Sequence, residues 1–396
     1  MKLSKVTRAL NQALISSVIA LGVTQAIAQS QGVSKSEILI GTILDQSGPL
    51  AGFGKQSRLG MQLRVDEVNE QGGINGRKLK LIVEDDGYDP KKAVLAAQKL
   101  VNQDKIFIMA GHLGTAQNFA AMPVQFEKNV INFFPITGAR EMYDPFDRLK
   151  YSFVATYYDQ IRAALPNLIN EKNAKKVCAI YQDDDFGLEV LRGAEAGLKV
   201  ANMALVEKTS FKRGATDFSS QVAKMKASNC DLVVLGTIIR ETIGTIGESR
   251  KTGFNPVFLG SSASYTDLIH KLGGAAMNGL YSTHTVQHPY LDEVSQPMRF
   301  WANKYKTRFT DDPTVFSVYG YVIIDAFIKA AQKAGPNLTT ETFIKAMDST
   351  TMPPDIFGSP VMTFTATKRL GSDISRMSQI TDGKWKVVSD YPQAKK

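Results

Sequence analysis

The chain has 396 residues, of which 43% are hydrophobic, and it carries a formal net charge of +9 at pH 7. This length exceeds what one hydrophobic core usually supports, so we expect two domains. The basic residues are scattered in nothing longer than pairs such as Lys91-Lys92. Nucleic-acid binding needs a clustered basic patch, and the composition therefore argues against it.

Residues 1–28 have the pattern of a secretory signal peptide. Three basic residues lie within the first eight positions, an apolar stretch (13–23) follows, and Ala26-Ile27-Ala28 supplies the small residues of a cleavage site. We expect cleavage before Gln29 and a protein located in the periplasm, with an uncleaved membrane anchor as the alternative. No cysteine directly follows the site to carry a lipid, and we expect no later stretch to be long and apolar enough to cross a membrane.

The two cysteines, Cys178 and Cys230, both lie in apolar strand-like runs. Neighbouring parallel strands rarely offer disulfide geometry, so we expect buried free thiols. A disulfide is the alternative, because an exported protein meets an oxidising compartment.

The first part of the chain predicts a strand, loop, helix, turn and strand in that order. A strand-like run (37–44) ends at a small-residue loop (45–54), and a helix follows to Gln71, where Gly72-Gly73 stops it. A turn at Asn75-Gly76 then leads to a second strand (78–83). This order is typical of a parallel-sheet unit.

The same alternation continues to about residue 260. Asp89 and Pro90 suit the start of a helix, and buried strands are predicted at 106–110 and 130–134 around a helix at 116–128. Further strands at 176–181, 204–208, 231–236 and 257–260 repeat the pattern, and 355–396 is read as short strands. We therefore predict an α/β fold with two doubly wound parallel sheets.

Ligands of such sheets bind beyond the carboxyl ends of the strands. The chain contains the segments Ser47–Gly52, Asn69–Gly76, Asp85–Ala93, Gly111–Thr115 and Asp184–Gly187. Together these segments resemble the type I periplasmic solute-binding proteins of the branched-chain amino-acid transport class. The resemblance implies two lobes that close on a ligand about a hinge of three chain crossings. It also implies that lobe I comprises 36–155 and 283–350, and lobe II 156–282 and 351–396.

The resemblance also implies which residues bind the ligand. Two turns are expected to hold its carboxylate through backbone N–H groups and hydroxyls, and two aromatic side chains to cover its apolar part. These residues are Leu113, Gly114 and Thr115, then Ile136, Thr137 and Gly138, and lastly Phe53 and Phe186. The alternatives are an ordinary helix cap for Thr115 and plain core packing for the two phenylalanines.

Ser262 marks a departure from the family pattern. Amino-acid binders of this class place a carboxylate at this strand end to hold the ligand's ammonium group, whereas here the segment is Gly260-Ser261-Ser262-Ala263-Ser264. An ammonium buried without an anion costs several kcal/mol, so the ligand is expected to lack an amino group. Thr237 and Arg240 follow another strand end, where Arg240 could pair with an acid group or remain a solvated helix residue.

Other chemistries fit the sequence poorly. The segment 48–57 fails the spacing of a phosphate loop and of a dinucleotide fingerprint. Asp183-Asp184-Asp185 lacks the spacing of a calcium loop and is read as solvated, and Pro289 argues against a helix that would align His284 with His288. We expect no metal, no cofactor and no reaction centre.

The expected function is that of a monomeric periplasmic receptor that delivers a small hydrophobic carboxylate to the permease subunits of an ABC importer. The ligand would be a branched-chain amino acid or an aromatic or aliphatic acid, with the acids preferred. A sensory receptor of the same fold that signals to another membrane protein is the main alternative, and an enzyme is a third.

Overall fold

The computed structural model describes residues 30–391, so the predicted signal peptide and its cleavage before Gln29 lie outside the described residues. A first sheet has five parallel strands in the order β2-β1-β3-β4-β5. Its strands are β1 (Glu37–Leu44), β2 (Lys78–Asp85), β3 (Ile108–Ala110), β4 (Ile131–Phe133) and β5 (Lys150–Tyr151). The helices between them are α1 (Ala51–Glu70), α2 (Pro90–Gln98) and α3 (Thr115–Glu127).

A second sheet has seven strands in the order β14-β13-β10-β9-β8-β6-β7. The strands are β6 (Val177–Gln182), β7 (Glu207–Phe211), β8 (Leu232–Gly236), β9 (Val257–Gly260), β10 (Tyr281–His284), β13 (Arg376–Thr381) and β14 (Lys384–Ser389). A two-stranded ribbon, β11 (Thr351–Met352) and β12 (Met362–Thr363), stands apart. The remaining helices are α4 (Tyr157–Lys172), α5 (Asp185–Val200), α6 (Ser219–Ala227), α7 (Arg240–Lys251), α8 (Asp267–Gly273), α9 (Gln296–Phe309), α10 (Val315–Ala334) and α11 (Thr340–Met347).

The helices divide between the two sheets. We call the five-stranded sheet with α1–α3 and α9–α11 lobe I, and the seven-stranded sheet with α4–α8 lobe II. The chain passes between them three times, at 152–156, 285–295 and 348–375. Backbone hydrogen bonds join the crossings: Ser152 donates to Arg369 (2.8 Å) and Gln287 to Phe357 (2.9 Å). The predicted fold of two doubly wound lobes with a three-crossing hinge is confirmed.

Two glycines bring α1 and α10 into unusually close contact. A Cβ atom at Gly60 would overlap the backbone of Ser317, and one at Gly320 would overlap the backbone of Ser57. The two helices therefore pack backbone against backbone.

The helix α10 corrects the expectation that no later stretch could cross a membrane, since it is long and apolar enough to do so by length and composition. In this fold 78% of that apolar window is buried, as expected for a core helix.

Two further details differ from the sequence prediction. Strand β7 begins three residues later than expected, because burial alternates along it at Thr209 and Phe211, while Val206 is exposed. The first of the residues that suggested a strand at 204–208 lie in the segment just before β7. In addition, β13 and β14 are an antiparallel hairpin turned at Asp382-Gly383, so the second sheet is mixed.

Cys178 and Cys230 form a disulfide, with 5.9 Å between their Cα atoms, so the expectation of free thiols is wrong. Cys178 lies in β6, where its partner in β8 is Val233. Cys230 comes before β8 begins, at the end of the turn that follows α6. The two cysteines are therefore not opposed in the parallel ladder, and the objection from strand geometry does not apply.

Candidate ligand-binding site

A cavity lies between the two lobes, at the carboxyl ends of their strands, with about 510 Å³ of space not occupied by protein atoms. We call it the interlobe cavity. Its lining consists of Leu50, Phe53, Tyr88, Leu113, Gly114, Thr115, Ile136, Thr137, Gly138, Phe153, Val154, Tyr157, Phe186, Ile238, Ser262, Ala263, Phe316 and Tyr319.

Nine of the eleven site residues predicted from the sequence line this cavity. The two that do not are Thr237 and Arg240. Thr237 is fully buried, with its hydroxyl 2.6 Å from that of Thr242. Arg240 begins α7 with 45% of its side chain exposed, and its Nε lies 3.7 Å from Glu241 Oε1. The structure thus places Arg240 on the surface, where the alternative interpretation had it.

The first turn of α3 has no side-chain cap. Gly114 stands at the cap position with φ of 103°, a conformation that favours glycine, and it offers no oxygen to the helix. At the start of α5 a carboxylate takes that place, because Asp184 accepts from the N–H of Gly187. The free N–H groups and the positive end of α3 therefore remain available for an anion.

A pair of hydroxyls lies beside this helix start. The Oγ1 atoms of Thr115 and Thr137 are 2.7 Å apart, and both residues are buried. The backbone N–H of Ala139 donates to Thr137 Oγ1 (3.3 Å). One hydroxyl proton serves the bond between the two threonines, which leaves the other free to donate to a ligand oxygen.

Tyrosine hydroxyls add further neutral donors. Burial raises the pKa of Tyr157, although hydrogen bonds with the Gly138 backbone and the Thr137 side chain act in the opposite direction. Burial likewise raises the pKa values of Tyr88 and Tyr319. All three phenols consequently keep their protons at neutral pH and can donate hydrogen bonds without carrying charge.

The lobe II side of the cavity carries a neutral network around Gln160. The Ser262 N–H donates to Gln160 Oε1 (2.9 Å), and Gln160 Nε2 donates to Ser262 Oγ (3.0 Å). The same amide donates to the carbonyl of Ala155 (2.6 Å) and accepts from Thr283 Oγ1 (2.8 Å). Ser262 is therefore held in place by uncharged groups that also tie two segments near the lobe crossings together.

The walls are largely aromatic. The ring of Phe53 stacks on that of Phe316 with centroids 3.5 Å apart, and Phe186 meets Tyr157 edge to face at 5.0 Å. None of the lining residues is an Asp, Glu, Lys, Arg or His. The site can therefore hold an apolar body and supply hydrogen-bond donors to an anionic head group, but its lining offers no charge to an ammonium group.

Half of the lining was missed by reasoning from sequence. The rule that sites lie at strand ends could have found Tyr88, which follows β2, and Ile238, which follows β8. No such rule finds Tyr157, which begins the first helix after a crossing, or Phe316 and Tyr319, which begin α10. Phe316 and Tyr319 reach the cavity because the chain returns to lobe I after a crossing, and Tyr157 reaches it because it begins the first helix of lobe II.

Comparisons with known proteins agree with this geometry. Residues 37–384 match the family model described as periplasmic binding protein. An amino acid binding protein of Pseudomonas aeruginosa is 26% identical over 323 residues, which cover 81% of this chain and 84% of the relative. The Leu/Ile/Val-binding protein of Escherichia coli is 27% identical over 258 residues, covering 65% and 70%.

Solved structures share the fold. A fatty acid ABC transporter substrate-binding protein from Thermomonospora curvata superposes with a TM-score of 0.85 at 22% identity, covering 94% of this chain and 96% of that one. The substrate binding protein of a branched-chain amino acid transporter from Streptococcus pneumoniae, in complex with isoleucine, gives 0.77 at 20% identity, covering 90% and 100%. The match to the family model spans most of the chain, and the chain therefore belongs to the periplasmic binding protein family, as a solute-binding protein related to the branched-chain amino-acid binders.

Proposed function

We propose that this protein captures a small apolar monocarboxylate between its lobes and delivers it to the permease subunits of an ABC importer. The observation that supports this most directly is a cavity whose lining has no charged side chain, with the uncapped start of α3 at one end. An anion held there pairs with N–H dipoles and with the Thr115–Thr137 hydroxyls, while its hydrocarbon part packs on Phe53 and Phe316.

The same lining argues for an acid without an amino group. An ammonium brought into the cavity would meet the neutral Ser262–Gln160 network where amino-acid binders of this class supply a carboxylate. Burying an unpaired charge costs several kcal/mol. Two ligand classes occur in the names of similar proteins: amino acids in those of sequence relatives, and fatty acids in that of a structural neighbour. The cavity favours the second class, with aromatic acids included.

Matched ligand pairs test this directly. Leucine and 4-methylpentanoate differ only by the amino group, as do phenylalanine and 3-phenylpropanoate. Calorimetric titration is expected to give the acid of each pair an affinity more than tenfold higher. An acid present at 100 times its Kd should also stabilise the protein by about 2.7 kcal/mol. If leucine binds more tightly than 4-methylpentanoate, the reasoning from Ser262 is wrong, and if none of the four binds, the proposed ligand class is wrong.

We further propose a periplasmic location, a cleaved signal peptide and a monomer whose lobes comprise 36–155 with 283–350, and 156–282 with 351–396, except that Thr283 and His284 belong to β10 and therefore to lobe II. The Cys178–Cys230 disulfide supports export, because such bonds persist in oxidising compartments. Mass spectrometry of the periplasmic fraction should find Gln29 at the N-terminus. A chain that retains residues 1–28 would refute the cleavage.

A further inference from the structure

We propose that Arg213 is a latch that holds the two lobes closed over the ligand. This inference rests on the proposed function, because it concerns how long the captured ligand stays in the interlobe cavity. Arg213 lies on lobe II in the loop after β7, and its contact on lobe I is Tyr88, which follows β2 and lines the cavity.

Three contacts define the latch. Arg213 Nη1 donates to the backbone carbonyl of Tyr88 (3.0 Å), and its guanidinium lies 4.8 Å from the centre of the Tyr88 ring. On its own lobe, Arg213 Nη2 donates to Asp184 Oδ2 (2.6 Å). The Asp184 side chain is only 16% exposed and also caps α5. Its carboxylate is therefore held in place and keeps the Arg213 guanidinium in position. A planar fork of this kind can serve two acceptors at once.

Tyr88 is equally well held on its side. Its carbonyl also accepts from Gln117 Nε2 (2.7 Å), and the residue itself is 6% exposed with φ of 63°. Opening the lobes would leave the Gln117 bond on lobe I and the Asp184 pair on lobe II. Opening would break the hydrogen bond from Arg213 to the Tyr88 carbonyl and the contact of its guanidinium with the Tyr88 ring. These two contacts therefore stabilise the closed form and not the open one.

A second polar contact crosses between the lobes nearby. Arg140, which follows β4 of lobe I, has its Nε 3.5 Å from Glu189 Oε1 on α5, and its guanidinium lies 4.5 Å from the centre of the Tyr158 ring. Glu189 is almost fully buried and also meets Arg192 of its own helix at 3.5 Å. Each lobe therefore contributes an arginine to the contact between the lobes, Arg140 from lobe I and Arg213 from lobe II. Of these two, Arg213 contacts a residue that lines the cavity.

The decisive variants are Arg213→Met and Lys212→Met. Lys212 is the adjacent residue, loses the same charge when changed, is 85% exposed and pairs with the exposed Asp183 of its own lobe. With 4-methylpentanoate as the probe, we expect Arg213→Met to raise the dissociation rate about tenfold, the effect of about 1.4 kcal/mol. The association rate should change less than threefold. Lys212→Met should change both rates less than twofold, and Arg213→Lys should lie between, because an ammonium cannot serve both acceptors with the same geometry.

Stopped-flow displacement read by tyrosine fluorescence gives these rates. If Arg213→Met dissociates no faster than Lys212→Met, or if only its association is slowed, as for a steering charge, the latch is refuted. If the wild type binds no acid at all, the proposed ligand class is wrong, and the latch is then tested by measuring the distance between the lobes in the ligand-free protein. Spin labels at Leu95→Cys on α2 and Val200→Cys on α5, both exposed, then report the distance between the lobes. Arg213→Met should lengthen that distance relative to Lys212→Met, and an unchanged distribution overturns the proposal.

Discussion

The hydroxyl of Thr115 provides the sharpest test of how the proposed carboxylate ligand is held. The change Thr115→Val keeps the shape of the side chain and removes its Oγ1, which lies 2.7 Å from that of Thr137 at the uncapped start of α3. A hydrogen bond to a charged group contributes about 1.5–3 kcal/mol, so the Kd for a bound carboxylate should rise about 10- to 100-fold. Loss of the buried bond to Thr137 should also lower the free energy of unfolding by about 1 kcal/mol.

Thr237→Val is the matched control. Thr237 is also a buried threonine beyond a strand end, and its Oγ1 forms a similar bond to Thr242 Oγ1 (2.6 Å), but it does not line the cavity. The change Thr237→Val should lower the free energy of unfolding by a similar amount and leave the Kd within about twofold of the wild-type value. Calorimetric titration with 4-methylpentanoate and urea unfolding measure the two quantities, and Thr115→Ser should restore binding. Equal Kd values for Thr115→Val and the wild type, or equal losses in the two valine variants, would refute the reasoning.

Three further predictions concern stability and specificity. Replacing both Cys178 and Cys230 by alanine opens a link across 52 residues and should lower the free energy of unfolding by about 4 kcal/mol; an unchanged urea midpoint would contradict this. Burial raises the pKa of Asp86 to about 7, so its protonated form stabilises the fold at acid pH, and this contribution is lost as pH rises through about 7. Asp86→Asn should therefore gain stability relative to wild type between pH 5 and pH 8 in urea unfolding, and a constant difference across that range would argue against a buried carboxyl that titrates there. Ser262→Asp should shift the affinity ratio of leucine to 4-methylpentanoate at least tenfold toward leucine in paired titrations, and an unchanged ratio would mean that the amino group, if bound, lies elsewhere.

The sequence was most informative where one strand determines one position. Leu113–Thr115 and Ile136–Gly138 directly follow buried strands, and parallel strands end at a common edge, so their place in the cavity could be predicted without knowing the crossings. The resemblance then assigned them a role. Arg240 follows a strand end too, yet it begins α7 and points to the surface, because the rule locates a segment and not the direction of its side chains.

Features that depend on the return of the chain could not be predicted in this way. Tyr157, Phe316 and Tyr319 line the cavity from helices that follow a crossing, and nothing in their local pattern marks them as different from core residues. The disulfide was missed for a related reason, since it depends on Cys230 lying two residues before β8 rather than within it. The polar contact of Arg213 with Tyr88 joins residues 125 positions apart, a separation at which local patterns carry no information.

The glycine contacts between α1 and α10 have a consequence for the range of ligands expected under the proposed function. Phe53 begins one of these helices and Phe316 the other, and their stacked rings form the hydrophobic wall. The spacing of the two helix axes is fixed by Gly60 and Gly320, where a single added methyl group would push the backbones apart. Under the proposed function, we therefore expect tail length to depend on residues outside the cavity lining, and directed changes of substrate size could begin at these two positions while the carboxylate end is left intact.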